Sequence, residues 1–123
     1  MAFAQNLDML LERVSAAAVK SGRNLTDIEI VPATKTHGKD LIAEIIADGR
    51  IKTVGENRVQ EFADKFDPRL NFDLIGQLQT NKVKYIADKV RLIHSCDREP
   101  LLAEINKRAV NPVKVLIEIN TGA

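Results

Sequence analysis

Apolar residues recur every three or four positions near the start of the chain, a spacing typical of an amphipathic helix. This first stripe ends near Ser21 and Gly22, and a second stripe of the same kind is closed by Gly49. The apolar positions are Phe3, Leu7, Leu10, Leu11, Val14, Ala17 and Ala18 in the first stripe, and Leu41, Ile42, Ile45 and Ile46 in the second. Both predicted helices should therefore bury one face against a core.

Short β-prone apolar segments alternate with the helical stripes along the rest of the chain. The expected strands cover residues 28–33, 51–54, 71–75, 90–93 and 113–119. Each is followed by a predicted helix except the last, and the repeat is about twenty residues, which is typical of βαβ units with a parallel sheet. The strands are near-continuous apolar runs, as in strands buried on both faces. No linker interrupts the series, so residues 1–123 are predicted to form a single α/β domain.

Two architectures fit this alternation. One is the first part, about five β/α units, of an eight-stranded TIM-type barrel preceded by an extra N-terminal helix. The other is an open parallel α/β sheet. Periodicity does not separate the two. Both arrangements place functional side chains at the carboxyl ends of the strands, so the residues there are the ones to examine.

Composition and charge narrow the classes of function. Eighteen basic and seventeen acidic residues leave a net charge of +1, which gives no overall field favouring nucleic acid or an anionic membrane. The apolar runs are too short to span a bilayer, and the first residues do not resemble a secretory signal. A single cysteine, Cys96, fits a reducing compartment. These features predict a cytoplasmic protein without nucleic-acid or membrane partners.

Ionisable residues gather where the predicted strands end. Lys35 follows the first strand, and at a barrel mouth it would lose solvation and become a better nucleophile towards an aldehyde, although most lysines at such positions simply face water. Asn57, after the second strand, is expected to cap its helix or to orient a bound ring. His94 and Cys96 lack the additional ligands that a zinc site needs, so we expect no metal.

Taken in order, the strand-end segments resemble one family, the pyridoxal phosphate homeostasis proteins, also called the YggS/PROSC family. The segments that carry the resemblance are Val-Pro-Ala-Thr-Lys-Thr at 31–36, Gly-Glu-Asn-Arg-Val-Gln-Glu at 55–61, Ile-Gly-Gln-Leu-Gln-Thr-Asn-Lys at 75–82, Ile-His-Ser at 93–95 and Ile-Asn at 119–120. The second and third are long and unusual. The resemblance runs from about residue 7 to the end of the chain.

The resemblance implies a barrel like the N-terminal domain of alanine racemase, with pyridoxal 5′-phosphate (PLP) as the cofactor. It implies that Lys35 holds PLP as a Schiff base, with Asn57 beside the cofactor ring and Ser95 and Asn120 as further cofactor-binding residues. No catalytic residue is implied, because the family is thought to bind and deliver PLP, with PLP-dependent apoenzymes as recipients, without robust turnover. The alternatives are a racemase-like enzyme that uses PLP and a non-catalytic interaction module formed by a truncated barrel.

The chain departs from the family pattern in two ways. Many members have a second lysine where this chain has His37, and a proline where it has Gly38. The resemblance also covers only the family's N-terminal half, and the phosphate-binding segments belong to the last strands. We therefore expect a truncated or processed chain that binds PLP weakly and can self-associate through the edge of the unclosed barrel.

Overall fold

The computed structural model of the chain describes residues 2–122. These residues form four α-helices, α1 to α4, and four strands, β1 to β4, together with two short 3₁₀-helices. In chain order the elements are α1 (Ala2–Lys20), a 3₁₀-helix (Leu25–Asp27), α2 (Lys39–Asp48), β1 (Thr53–Glu56), α3 (Val59–Lys65), β2 (Asn71–Leu74), a 3₁₀-helix (Thr80–Tyr85), β3 (Val90–Cys96), α4 (Glu99–Arg108) and β4 (Lys114–Ile117). The first two helices occupy the segments expected from their apolar stripes.

The four strands form one parallel sheet in the order β1-β2-β3-β4. Every crossover therefore steps in the same direction along the sheet, with no reversal. A doubly wound open sheet reverses its strand order at a switch point, whereas a β/α barrel does not. The strand order is that of a barrel segment, in agreement with the first of the two predicted architectures.

The predicted strand at residues 28–33 is the main difference from the sequence-based expectation. It is reduced to a single parallel bridge between Ala33 and Gly55. Two backbone hydrogen bonds flank this bridge, from the Gly55 N–H to the Pro32 carbonyl and from the Thr34 N–H to the Gly55 carbonyl. Pro32 has no N–H to donate. The segment therefore runs beside β1 as a nearly unpaired edge.

Two local predictions were wrong. The helix expected after β2 is a 3₁₀-helix, in which the Ile86 N–H donates to the Val83 carbonyl three residues earlier. Asn57 does not occupy the N-cap position of α3, because that helix begins after Arg58, which makes no capping side-chain hydrogen bond. Asn57 is therefore not explained as a helix cap.

The two faces of the sheet differ in chemistry. Phe72 of β2 packs edge-on against Phe62 of α3, with ring centroids 5.4 Å apart, and also contacts Phe66. These rings belong to the buried core between the sheet and the helices. Because side chains alternate along a strand, Asp73 points to the opposite face, where it binds Arg91. The face away from the helices therefore has polar groups at its centre.

The β4 edge is the most exposed part of the sheet. Leu116, Ile117 and Ile119 leave 49%, 62% and 74% of their surface accessible, which is unusual for large apolar residues in or beside a parallel strand. One edge of β4 lacks a neighbouring strand among residues 2–122. Within the same range, no helix is both long enough and apolar enough to cross a bilayer.

Candidate functional site

Lys35 lies in a tight turn at the carboxyl end of the segment that runs beside β1. The His37 N–H donates to the Thr34 carbonyl at 3.2 Å, so Lys35 and Thr36 are the two central residues of this turn. Thr36 has a φ of 68°, in the left-handed region that residues other than glycine seldom adopt. The Lys35 side chain is exposed. The prediction that Lys35 loses solvation at the strand end is therefore wrong for this structure. The Lys35 amine is accessible to a ligand from solvent.

A buried cluster of charged and polar groups lies directly behind this turn. Glu56, at the end of β1, is fully buried and accepts a hydrogen bond from the Thr34 hydroxyl. Lys65 of α3 is 6% exposed, and its Nζ donates to the Thr34 carbonyl at 2.7 Å and to Glu56 Oε1 at 3.3 Å. It also pairs with Glu61 at 3.2 Å. The backbone and side chain of Thr34 are therefore fixed by an ion pair on the first β/α unit.

The turn after β1 and the turn after β2 pack tightly against each other through a glycine. A Cβ placed on Gly76 would lie 2.3 Å from the Asn57 carbonyl oxygen and 2.9 Å from its Cα. No other residue has room at that position without moving the backbone. Gly76 thus allows the β2 turn to approach Asn57, whose half-buried side chain lies beside the Lys35 turn.

The structure brings together two of the four predicted cofactor-binding residues. Lys35 and Asn57 line the same open depression, with Glu61 and Lys65 in its wall. Ser95 is buried, and its hydroxyl donates to the Gly76 carbonyl. Ser95 therefore stabilises the turn that follows β2.

Asn120 lies apart from that depression. It is exposed in a separate depression near Asp97, and its side-chain oxygen accepts the Gly122 N–H at 3.0 Å.

Shared wall residues join these depressions into a row along one rim of the sheet. Asn57 and Arg58 line both the Lys35 depression and a larger one that also contains Gln79, Lys82 and other residues. Gln77 in turn separates that larger depression from the one that contains Asn120. All three follow the carboxyl ends of the parallel strands, where ligands bind in β/α folds.

Asp73, Arg91 and His94 form a second cluster of ionisable groups near the rim. Asp73 accepts hydrogen bonds from Arg91, and its Oδ2 lies 2.9 Å from His94 Nε2. The hydrogen bond from Arg91 to Asp73 raises the pKa of Arg91 above its usual range. Burial, together with the nearby charge of Asp97, raises the pKa of the Cys96 thiol. The described part of the chain contains no group of three or more His, Cys, Asp or Glu residues that could hold a metal ion.

Comparison of the sequence with known proteins identifies its relatives. No protein-family profile matches the chain. It is 46% identical over 125 residues to the pyridoxal phosphate homeostasis protein of Aquifex aeolicus, covering 96% of this chain and 54% of that protein. It is 34% identical over 127 residues to the protein of the same name from Escherichia coli K12, again covering 54% of the relative.

The chain is similar to the N-terminal half of the pyridoxal phosphate homeostasis proteins. The match concerns the N-terminal half of the family, as the sequence motifs indicated, and the chain spans about half the length of the curated relatives it matches. The predicted resemblance is thereby confirmed.

Solved structures agree with this similarity. A protein of unknown function from Bifidobacterium adolescentis superposes with a TM-score of 0.82 at 31% identity, covering 91% of this chain and 52% of that one. PipY of Synechococcus elongatus, in a structure with PLP bound, superposes with a TM-score of 0.59 at 30% identity over 80% of this chain and 47% of PipY. The predicted α/β fold with part of a barrel is confirmed.

Sequence reasoning missed two groups of residues near the rim. Glu56 and Lys65 form the buried ion pair. Asp73 pairs with Arg91 and His94 on the face of the sheet away from the helices. The charged residue Glu56, in the strand-end motif at 55–61, is the one signal that the sequence offered. Nine positions separate Glu56 from Lys65, and the fold alone brings them into contact.

Proposed function

We propose that this chain binds PLP through a Schiff base on Lys35 and carries it without robust catalytic turnover. The observation that supports the proposal most directly is the position of the Lys35 amine. It is exposed at the carboxyl rim of a parallel β/α sheet, in one depression with Asn57. The relatives named for PLP homeostasis and the PLP-bound state of PipY point to the same ligand.

The proposed bond formation requires only groups that the site and the ligand supply. The deprotonated Lys35 amine forms a C–N bond to the aldehyde carbon of PLP, and the aldehyde oxygen leaves as water to give the C=N bond. Asn57 borders the same depression, and its proposed role is to hydrogen-bond the ring substituents.

The positive groups of the neighbouring larger depression, Arg58 and Lys82, are candidates for the phosphate. Ser95 supports this arrangement through Gly76, and Asn120 is proposed only as an outer contact of the same rim.

The absence of turnover is proposed from the state of the other reactive groups. The Cys96 thiol is buried with a raised pKa, and His94 is held by Asp73. Neither lines the Lys35 depression, so neither is a second acid or base there, and His37 is the remaining acid-base candidate in its wall. The natural role of such a site is to hold a reactive aldehyde at low free concentration. We propose PLP-dependent apoenzymes as the recipients and the cytoplasm as the location.

Absorption spectroscopy tests the proposal with a matched pair of variants. Adding PLP to the protein should give a band typical of a protonated imine, and Lys35→Ala should abolish it. Lys39→Ala is the control, because Lys39 is also exposed and lies four residues further along the chain. If Lys35→Ala and Lys39→Ala keep the same band, the assignment to Lys35 is wrong.

The exposed β4 edge supports one further proposal about assembly. Leu116, Ile117 and Ile119 are exposed at a strand edge, and such edges pair with other chains. We propose that a second copy of this chain occupies the edge. Light scattering should then report a dimer that Ile117→Lys converts to a monomer, whereas a monodisperse wild-type monomer would exclude this pairing.

A further inference from the structure

Two lysines line the depression proposed for PLP, and their surroundings differ. The Lys35 side chain is exposed, whereas Lys65 is 6% exposed. The Lys65 Nζ donates to the Thr34 carbonyl, to Glu56 and to Glu61 at 2.7, 3.3 and 3.2 Å. Every N–H of that ammonium therefore has an acceptor.

We propose that Glu56 and Lys65 form a positioning pair that fixes the Lys35 turn and withholds Lys65 from the aldehyde. The inference rests on the proposed function and adds to it the reason why one of two neighbouring lysines reacts. Glu56 and Lys65 do not touch the ligand in this account. They act through Thr34, the residue immediately before Lys35.

The contacts of Thr34 show how the pair acts. Its N–H donates to the Gly55 carbonyl, its hydroxyl donates to Glu56, and its carbonyl accepts both the His37 N–H and the Lys65 ammonium. The same carbonyl closes the turn in which Lys35 sits. All the polar groups of Thr34 are therefore hydrogen-bonded. Three of its four hydrogen bonds are to β1 or to the ion pair.

The backbone of the turn gives a reason for such anchoring. Thr36 follows Lys35 with a φ of 68°, at the turn position where glycine or asparagine is usual. A left-handed residue with a branched side chain is strained and persists only where its surroundings enforce it. Lys65, bound to the carbonyl that closes the turn, is an enforcing contact from outside the turn itself.

The burial of Glu56 and Lys65 indicates that the pair positions the Lys35 turn more than it stabilises the fold. Glu56 is fully buried, and replacing a buried ion pair by apolar groups is often neutral for stability. Removing one partner alone is strongly destabilising, because the other charge stays buried without compensation. The informative variant therefore removes both charges together.

Trapping of bound PLP with borohydride, followed by peptide mapping, tests the pair. The measured quantity is the yield on Lys35 relative to Lys107, an exposed lysine on α4. In wild type, Lys35 should dominate. In Glu56→Gln/Lys65→Met the ratio should fall at least about fivefold, since small displacements of a reacting group have large effects. Lys65→Arg should restore part of the ratio.

The control is Glu104→Gln, which removes an exposed i,i+4 pair with Arg108 and should leave the ratio unchanged. If the double variant folds, as judged by circular dichroism, and keeps the wild-type ratio, the positioning inference is wrong while the proposed function stands. If wild type itself shows no preference for Lys35, the proposed function fails instead.

A second measurement needs no variant. Lys65 should remain unlabelled in the native protein and become labelled when the chain is unfolded in urea before PLP is added. Labelling of Lys65 in the native protein, at a yield similar to that of Lys107, would overturn the inference even if the double variant does not fold.

Discussion

Replacing Gly76 by alanine tests the close approach between the two turns that shape the site. The added Cβ would lie 2.3 Å from the Asn57 carbonyl oxygen, where ordinary contact begins near 3.4 Å, so the two backbones must separate by about 1 Å. The atoms that would clash belong to backbone and not to a flexible side chain. Neither turn can yield freely, because the Ile75 N–H donates to the Glu56 carbonyl on one side and Ser95 holds the Gly76 carbonyl on the other.

The expected loss can be estimated from these contacts. Overpacking that displaces backbone costs about 1–3 kcal/mol, and loss of the Ser95 hydrogen bond adds about 1 kcal/mol. Gly76→Ala should therefore lower the free energy of unfolding by about 2–4 kcal/mol. Urea unfolding followed by far-ultraviolet circular dichroism measures this value.

Gly38→Ala is the matched control for this prediction. A Cβ at Gly38 would meet no atom within 4 Å, and the residue has an extended backbone at the N-cap of α2. The only expected penalty is the poorer N-cap, about 1 kcal/mol or less. If Gly76→Ala unfolds within about 0.5 kcal/mol of the wild type, the contact between Gly76 and Asn57 is not part of the native packing.

Two further predictions concern the core and the single thiol. Phe62→Ala removes a fully buried ring that contacts Phe72 and should lower the free energy of unfolding in urea by about 3–5 kcal/mol. The control Met9→Ala, at an exposed position, should change that free energy by less than about 0.5 kcal/mol. Equal losses in the two variants would refute the placement of the core. The raised pKa of Cys96 keeps the thiol protonated at neutral pH, so alkylation should be at least about tenfold slower in the native than in the unfolded chain and should accelerate as the pH rises. Equal rates at neutral pH would contradict its burial.

The sequence predicts best those features that depend on local periodicity. The α1 and α2 stripes are long, and Gly49 stops α2 in the left-handed conformation that glycine adopts without strain. The parallel sheet also follows from the alternation of segments. The strand at 28–33 was overestimated because Pro32 interrupts the hydrogen-bonding ladder and the segment has a neighbouring strand on only one side.

The site was predicted only where chemistry and chain order coincide. Lys35 and Asn57 sit at consecutive strand ends, and the structure places them in one depression. The pair of Glu56 and Lys65 could not be predicted, because it depends on how α3 lies across β1. Asn120 lies on the same rim but in a different depression from Lys35.

The site of PLP attachment in the native chain tests the central claim most directly. The protein is mixed with a limiting amount of PLP, reduced with borohydride, digested, and mapped by mass spectrometry. If Lys35 is the attachment site, the adduct will be found mainly on Lys35, one of ten lysines in the chain, and this preference will disappear when PLP is added in urea. An adduct spread over the exposed lysines to the same extent in the native and the unfolded chain would contradict it.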